Sequence, residues 1–196
     1  MSKGNHGIGR RFEGARLDQL DRKYFGDVLT YAKTYQSHLD SGRGLLLAGS
    51  PGSGKTYASV ALMLFIQQKA PRFDFYVVAA PDLFDANLKE TDSYRHMSWW
   101  RTLTSVKALV INDLGKEDRS REWRQEEVVA KLGRVLRARH EAQLPVFITT
   151  NLALKAQRTT IPTFEKVYGA SLWSLIYDMT AYRAQINAPD RRKGEA

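Results

Sequence analysis

The chain of 196 residues predicts an α/β fold, a parallel β-sheet of about five strands flanked by helices, and three observations carry that expectation. Strand-like apolar runs alternate with helix-like ones, the order of βαβ units with right-handed crossovers. Two runs, Ala108-Leu109-Val110-Ile111 and Val146-Phe147-Ile148-Thr149, are short and continuously apolar, as strands buried on both faces are. The third observation is Gly44 to Thr56, GLLLAGSPGSGKT: an apolar strand, a glycine-rich turn, and Lys-Thr opening a helix.

Residues 1–14 are glycine-rich and basic without periodicity, the composition of a mobile arm. From Ala15 onward, Leu17, Leu20, Tyr24, Val28, Leu29, Ala32 and Tyr35 recur at mostly three- and four-residue steps. That spacing predicts an amphipathic helix, or a pair of helices interrupted near Gly26. Ser41-Gly42 leads into the first strand, Leu45 to Ala48, and Tyr57 to Lys69 continues from the glycine turn as a helix that Pro71 stops. Phe73 to Val78, β-branched and aromatic, reads as the second strand. Pro81-Asp82 opens a short helix to about Leu88, HMSWWRTLTS forms another, and Ala108 to Ile111 is the next strand. A charged segment from Lys116 to Glu127 merges into a helix with Val128, Val129, Leu132, Val135 and Leu136 on one side. Pro145 introduces the strand Val146 to Thr149. Leu152 to Tyr182 is mostly helical in pattern, a reduced C-terminal helical lid, so the folded domain is expected over 15–182 and a polar tail over 183–196.

Hydrophobic content of 43% and charged content of 26% are ordinary for a soluble globular chain, and the length suits one domain with tails. No apolar run approaches the roughly 20 residues that span a bilayer, so no membrane partner is expected. The N-terminal stretch has charge but no apolar core, unlike a secretory signal, and there is no cysteine, which fits a cytoplasmic protein. A net charge of +9, with a pI near 9.8, favours a polyanionic partner such as nucleic acid.

The glycine turn fits G-x-x-x-x-G-K-[ST] in full, with Gly49, Gly54, Lys55 and Thr56 at the fixed places. Gly49, Gly52 and Gly54 let the backbone take positive φ and wrap N–H groups around a phosphate. The helix that follows points its partial positive end at the same anion. Lys55 adds a mobile charge for the β- and γ-phosphates, and the Thr56 hydroxyl is placed to ligate Mg²⁺. The stretch expected to bind a nucleoside triphosphate is therefore Gly49, Ser50, Pro51, Gly52, Ser53, Gly54, Lys55, Thr56 and Tyr57. Such a loop needs a second strand delivering an acid to the metal and the attacking water, and ALVINDLG, Ala108 to Gly115, is the candidate. A further strand should end in a polar residue that senses the γ-phosphate, and VFITTN offers Asn151.

In order and spacing these three motifs resemble the AAA+ ATPases of the DnaC/DnaI helicase-loader and IstB-like group, a P-loop NTPase fold. The resemblance covers Arg11 to about Arg192 and rests on LLLAGSPGSGKT, LVINDLG, TTN and the final Asp190-Arg191-Arg192, with RRFEGARLDQL similar to the family's linker near the adenine. It implies ATP and Mg²⁺ as cofactors, Asp113, Lys55 and Asn151 as catalytic residues, Arg192 at the nucleotide, and Thr56, Asn112 and Asp113 around the metal. It also implies single-stranded DNA and a replicative helicase, or a transposase, as partners, and an ATP-dependent homo-oligomer. Three departures stand beside it. Asn112 takes the place of the first acidic residue of the Walker B pair. With the register kept, Asp113 orients water and the metal relies on Thr56, phosphate and solvent. With the strand slipped by one residue, Asp113 would face the metal, but a slip flips every neighbouring side chain. Leu175 stands where the family carries its arginine finger, and only about 40 residues precede the loop, where loaders often carry a helicase-binding domain. The readings that follow are a helicase-loader ATPase, an IstB-like transposition ATPase, and a nucleotide-gated scaffold with weak hydrolysis.

Softer signals remain. Tyr94, Arg95, His96, Trp99, Trp100, Arg101 and Lys107 interleave aromatics with cations, either as a stacking surface for single strands or as a helix with core tryptophans. Arg119, Arg121 and Arg124 form a charge run whose ordinary reading is a solvated face. The four histidines show no metal-binding spacing.

Overall fold

The structure, a computed structural model, describes residues 7–85, 93–117, 122–156 and 160–191. Its sheet consists of β1 (Gly44–Gly49), β2 (Phe75–Ala79), β3 (Ala108–Leu114), β4 (Val146–Thr150) and β5 (Thr180–Ile186). The strand order is β2-β3-β4-β1-β5, and every neighbouring pair is parallel. Around it run α1 (Arg22–Lys33), α2 (Tyr35–Asp40), α3 (Lys55–Lys69), α4 (Ala80–Asp85), α5 (Ser93–Ser105), α6 (Glu122–Glu141), α7 (Phe164–Tyr168) and α8 (Ala170–Asp178).

Successive strand residues point to opposite faces, and both faces are covered, which is why β1 reads as an unbroken apolar run. Leu45 and Leu47 join Phe147 and Val110 in a core under α1 and α3. Leu46 joins Leu109, Ile111 and Ile148 in a second core under α5, α6 and α8.

Several elements differ from expectation. The first helical region is interrupted near Gly26 as expected, at Phe25 (φ −117°, ψ 26°), but it divides again at Thr34. The kink lets Phe25 bury completely. The second strand starts at Phe75, because Phe73 N–H bonds the carbonyl of Ala70 in a turn after α3. β3 runs on to Leu114. The segment 180–186, expected as helix to Tyr182 and tail beyond, is the fifth strand, held by parallel pairing to β1. Within the expected mobile arm, Ile8 and Phe12 pack on the first core, and Arg10–Phe12 form a 3-10 turn. The end of the helix expected to reach Leu88 lies outside the described residues.

One buried group ties α5 to the sheet. Arg139, wholly buried on α6, donates to the carbonyls of Leu103 and Val106 at the end of α5 and of Pro145 before β4, at 2.9, 3.0 and 3.0 Å. Burial pushes its pKa down to about 10, so it stays charged at neutral pH.

Candidate nucleotide site

The phosphate loop hangs between the end of β1 and the start of α3, with Gly52 at φ +79° and Gly54 at φ +90°. These left-handed conformations turn the loop under the helix. A cleft of about 380 Å³ opens there, lined by Pro51, Gly52, Gly54, Lys55, Thr56 and Tyr57 of the expected stretch. Gly49, Ser50 and Ser53 back it instead, through Lys55. The Lys55 ammonium donates to the Gly49 and Ser50 carbonyls at 2.8 Å, to Ser53 Oγ at 3.4 Å and to Asn151 Oδ1 at 3.0 Å. Lys55 is therefore 5% exposed and folded onto its own loop, joined directly to the side chain at the end of β4.

The metal-side residues meet at the end of β3. Asn112 Oδ1 accepts from Thr56 Oγ1 at 2.6 Å and from Thr149 Oγ1 at 2.8 Å, and Thr149 Oγ1 accepts from Asp113 N–H at 2.9 Å. The strand has not slipped: Ala79 pairs with Asn112, and Ile148 with Ile111. Register with β4 breaks just after, between Ile111 and Leu114, where Asp113 stands at φ +60°. A bulge of this kind re-aims one side chain without flipping its neighbours. Asn112 thus stays beside Thr56 while Asp113 turns into the cleft, where its carboxylate meets Lys116 Nζ at 2.7 Å. The turn is braced by the buried Glu117, which accepts from Gly115 N–H at 2.8 Å and from the Tyr168 hydroxyl at the end of α7.

A strap closes the other side. Arg191 N–H donates to the Gly52 carbonyl at 3.1 Å, and a Cβ on Gly52 would lie 1.7 Å from Asp190 Oδ1. Arg191 lines the cleft and sits over the Phe25 ring at 5.5 Å. The expected Arg192 lies outside the described residues, and its neighbour is the arginine seen at the site. Arg11, Phe12 and Gln19, from the stretch read as linker, complete the lining. Tyr57 serves that linker, accepting from Arg16 N–H at 3.1 Å and bonding the Gln19 side chain. Lys116 and Glu117 were missed from the sequence, their one signal being charge directly after the Walker B glycine.

For Mg²⁺, the Thr56 hydroxyl and Asn112 amide oxygen are hard oxygen donors side by side, which suits an ion carried mainly by phosphate and water. The charged ligand is what is missing, since the carboxylate of Asp113 is paired with Lys116.

Other expected features lie elsewhere. Trp99 packs edge-on to Tyr76 at 5.7 Å, and the Arg134 guanidinium covers Trp100 at 4.7 Å, both rings half-buried on the second core. Lys107 is tied to Arg72 and Asp74. The side chains of Tyr94, Arg95, His96 and Arg124, and residues Arg119 and Arg121, are outside the described set. Leu175 on α8 lines a separate cleft with Arg43, Arg137, His140 and Arg183. Among the described residues no helix is long and apolar enough to cross a membrane.

A parallel sheet in this strand order, a phosphate loop at the end of its inner strand β1 and an Asn-Asp pair beside it define an ATP-binding P-loop protein of the AAA+ class. Residues 27–180 match the family described as IstB-like ATP binding protein, and the chain belongs to that family. The crystal structure of the DnaC helicase loader superposes with a TM-score of 0.72 over 91% of this chain and 100% of that one, at 24% identity. That of DnaI gives 0.71 over 94% of both chains, at 23% identity. Identities this low speak to fold alone. RuvB-like helicase 1 of Debaryomyces hansenii is 36% identical over 87 residues, which is 44% of this chain and 18% of that protein. The chain thus spans less than a fifth of that curated relative.

Proposed function

We propose that this protein is a cytoplasmic ATP-dependent helper of DNA replication, of the helicase-loader type, that binds ATP tightly and hydrolyses it slowly. The single observation behind it is the convergence of Lys55, Thr56, Asn112, Asp113 and Asn151 on one cleft, with a neutral amide where a carboxylate would sharpen hydrolysis. On binding, Lys55 exchanges its loop carbonyls and Asn151 for the β- and γ-phosphates, and Asn151, released, is free to meet the γ-phosphate. Thr56 and Asn112, both uncharged, would hold Mg²⁺ only weakly, leaving the ion mainly to phosphate and water, and its chemistry when bound would be to polarise the γ-phosphate. Asp113 orients the attacking water once its pairing with Lys116 is broken. Phe12 and Gln19 enclose the base side of the cleft.

The net charge of +9 supports single-stranded DNA as a partner, and the fold shared with loaders supports a replicative helicase. An ATP-dependent homo-oligomer follows from the same reading, with Arg43, Arg137 and Arg183 around Leu175 offering charge to a neighbouring copy's nucleotide. The neutral Asn112 and uncharged Leu175 favour a second reading, a nucleotide-gated scaffold with little turnover. Calorimetric titration of ATP into wild type and Lys55→Ala tests the site: the variant loses binding, and unchanged affinity overturns the assignment. Turnover with and without single-stranded DNA separates loader ATPase from scaffold. Capture by a purified replicative helicase, against a transposase, separates the loader from the IstB-like alternative.

A further inference from the structure

Among the described residues the cleft is lined by four cations, Arg11, Lys55, Lys116 and Arg191, against the single carboxylate of Asp113. In a phosphate-loop site a divalent ion normally neutralises the β- and γ-oxygens and is held with the help of a protein carboxylate. Here the residue beside Thr56 is the neutral Asn112, while a lysine stands three residues beyond Asp113 and reaches back into the same cleft.

The fold determines where that lysine sits. Gly115 at φ +104° and Asp113 at φ +60° fold the chain back on itself, and Lys116 N–H closes the turn onto the Asp113 carbonyl at 3.1 Å. Glu117, bonded to Gly115 N–H and the Tyr168 hydroxyl, anchors the turn from beneath. The ammonium is therefore delivered to the cleft by a braced turn. Its ion pair with Asp113 is partly solvated on both sides, with side-chain exposures of 42% and 27%, so the pair is weak and readily exchanged for a more highly charged anion. The ordinary alternative, a surface ion pair at i,i+3 spacing, does not account for a lysine lining the nucleotide cleft.

We propose that Lys116 supplies to the triphosphate the positive charge that a protein-held Mg²⁺ supplies elsewhere, so that ATP binding by this chain depends little on divalent metal. The inference rests on the cleft being the nucleotide site. When Lys116 moves from Asp113 to a phosphate oxygen it also frees the carboxylate, so that nucleotide arrival itself prepares Asp113.

The test is calorimetric titration of ATP into the full chain in excess Mg²⁺ and, separately, in excess EDTA, with thermal melts to confirm folding. Wild-type affinities in the two buffers are expected to agree within about threefold, a difference under 1 kcal/mol. Lys116→Gln should weaken binding in EDTA about tenfold or more, the worth of a charge-assisted hydrogen bond, and much less in Mg²⁺. Asn112→Asp should restore metal dependence, weakening the EDTA arm and strengthening the Mg²⁺ arm. Wild-type binding that appears only with Mg²⁺ overturns the inference and leaves the nucleotide site standing. So does an equal loss in both buffers for Lys116→Gln. Wild type that binds in neither buffer overturns the nucleotide-site reading, and the inference with it.

Discussion

Gly52→Ala probes the strap that joins the phosphate loop to residues 190–191, and two separable costs can be worked out for it. The first is local: Gly52 stands at φ +79°, and an L side chain there costs about 1–2 kcal/mol. The second is steric, since the new Cβ would lie 1.7 Å from Asp190 Oδ1 and 2.1 Å from its Cγ, contacts that oblige the strap to move. Overpacking of that kind costs about 1–3 kcal/mol. The sum is about 2–5 kcal/mol, and at this chain length each kcal/mol lowers Tm by about 2–4 °C. Asp190→Ala removes the obstructing carboxylate but not the strained φ. In a double-mutant cycle read by urea denaturation, the second substitution should therefore rescue about 1–3 kcal/mol of the first. ATP affinity should follow the same pattern, because Arg191 N–H holds the Gly52 carbonyl. Additive losses, with no rescue, would show that Asp190 does not press on the loop in solution and would refute the reasoning.

Three further outcomes are expected. Arg139→Met strands the carbonyls of Leu103, Val106 and Pro145 and should cost about 3–5 kcal/mol in urea unfolding, with Arg139→Lys recovering only part; a loss below about 1 kcal/mol would remove the clasp from the account. Trp99→Ala and Trp100→Ala should each lower stability by about 1–3 kcal/mol, since both rings pack on the second core, while single-strand affinity of the folded protein, by fluorescence anisotropy, changes little; a selective loss of binding would return these rings to the nucleic-acid surface. His38, stacked 4.7 Å from the Tyr31 ring, has its pKa lowered by burial and by Arg43, so the unfolded chain takes up the proton first as pH falls. Stability should be full above the ordinary value of 6.5 and decline below it, and His38→Phe should flatten that part of the Tm–pH curve; an unaltered slope would exclude His38 as its source.

The phosphate loop was legible because its chemistry is local: three glycines, a lysine and a threonine must be adjacent in sequence to surround one anion. The strands β1 and β4, buried along their whole length, were legible for a similar reason, as Leu45–Ala48 and Val146–Thr149 are apolar whatever they pair with. β5 was not, because an edge strand with Tyr182, Arg183 and Gln185 incompletely buried carries no continuous apolar run, and only pairing with distant β1 makes it a strand. The bulge at Asp113 was hidden too. Sequence reasoning offered a kept register or a slipped one, whereas a single residue at φ +60° keeps the register and still re-aims the carboxylate. Lys55 was read as a mobile charge, but four oxygen partners hold it buried on its own loop. Tryptophans that look like a stacking platform in sequence pack against Tyr76 and Arg134, residues 20 or more positions away.

The strand order has a consequence for how this chain is made. β1 lies between β4 and β5, and both partners are translated about 100 residues or more after it. At a ribosomal rate of about 5–20 residues per second, the apolar segment GLLLAG waits on the order of 10 s with both edges unpaired, the exposure that invites strand-to-strand aggregation. The Asp190-Arg191 strap, which arrives after β5, is also the piece that holds Gly52. A nascent chain halted before it should therefore present a phosphate loop in sequence only, and chaperone capture during synthesis should fall sharply once β5 has left the exit tunnel.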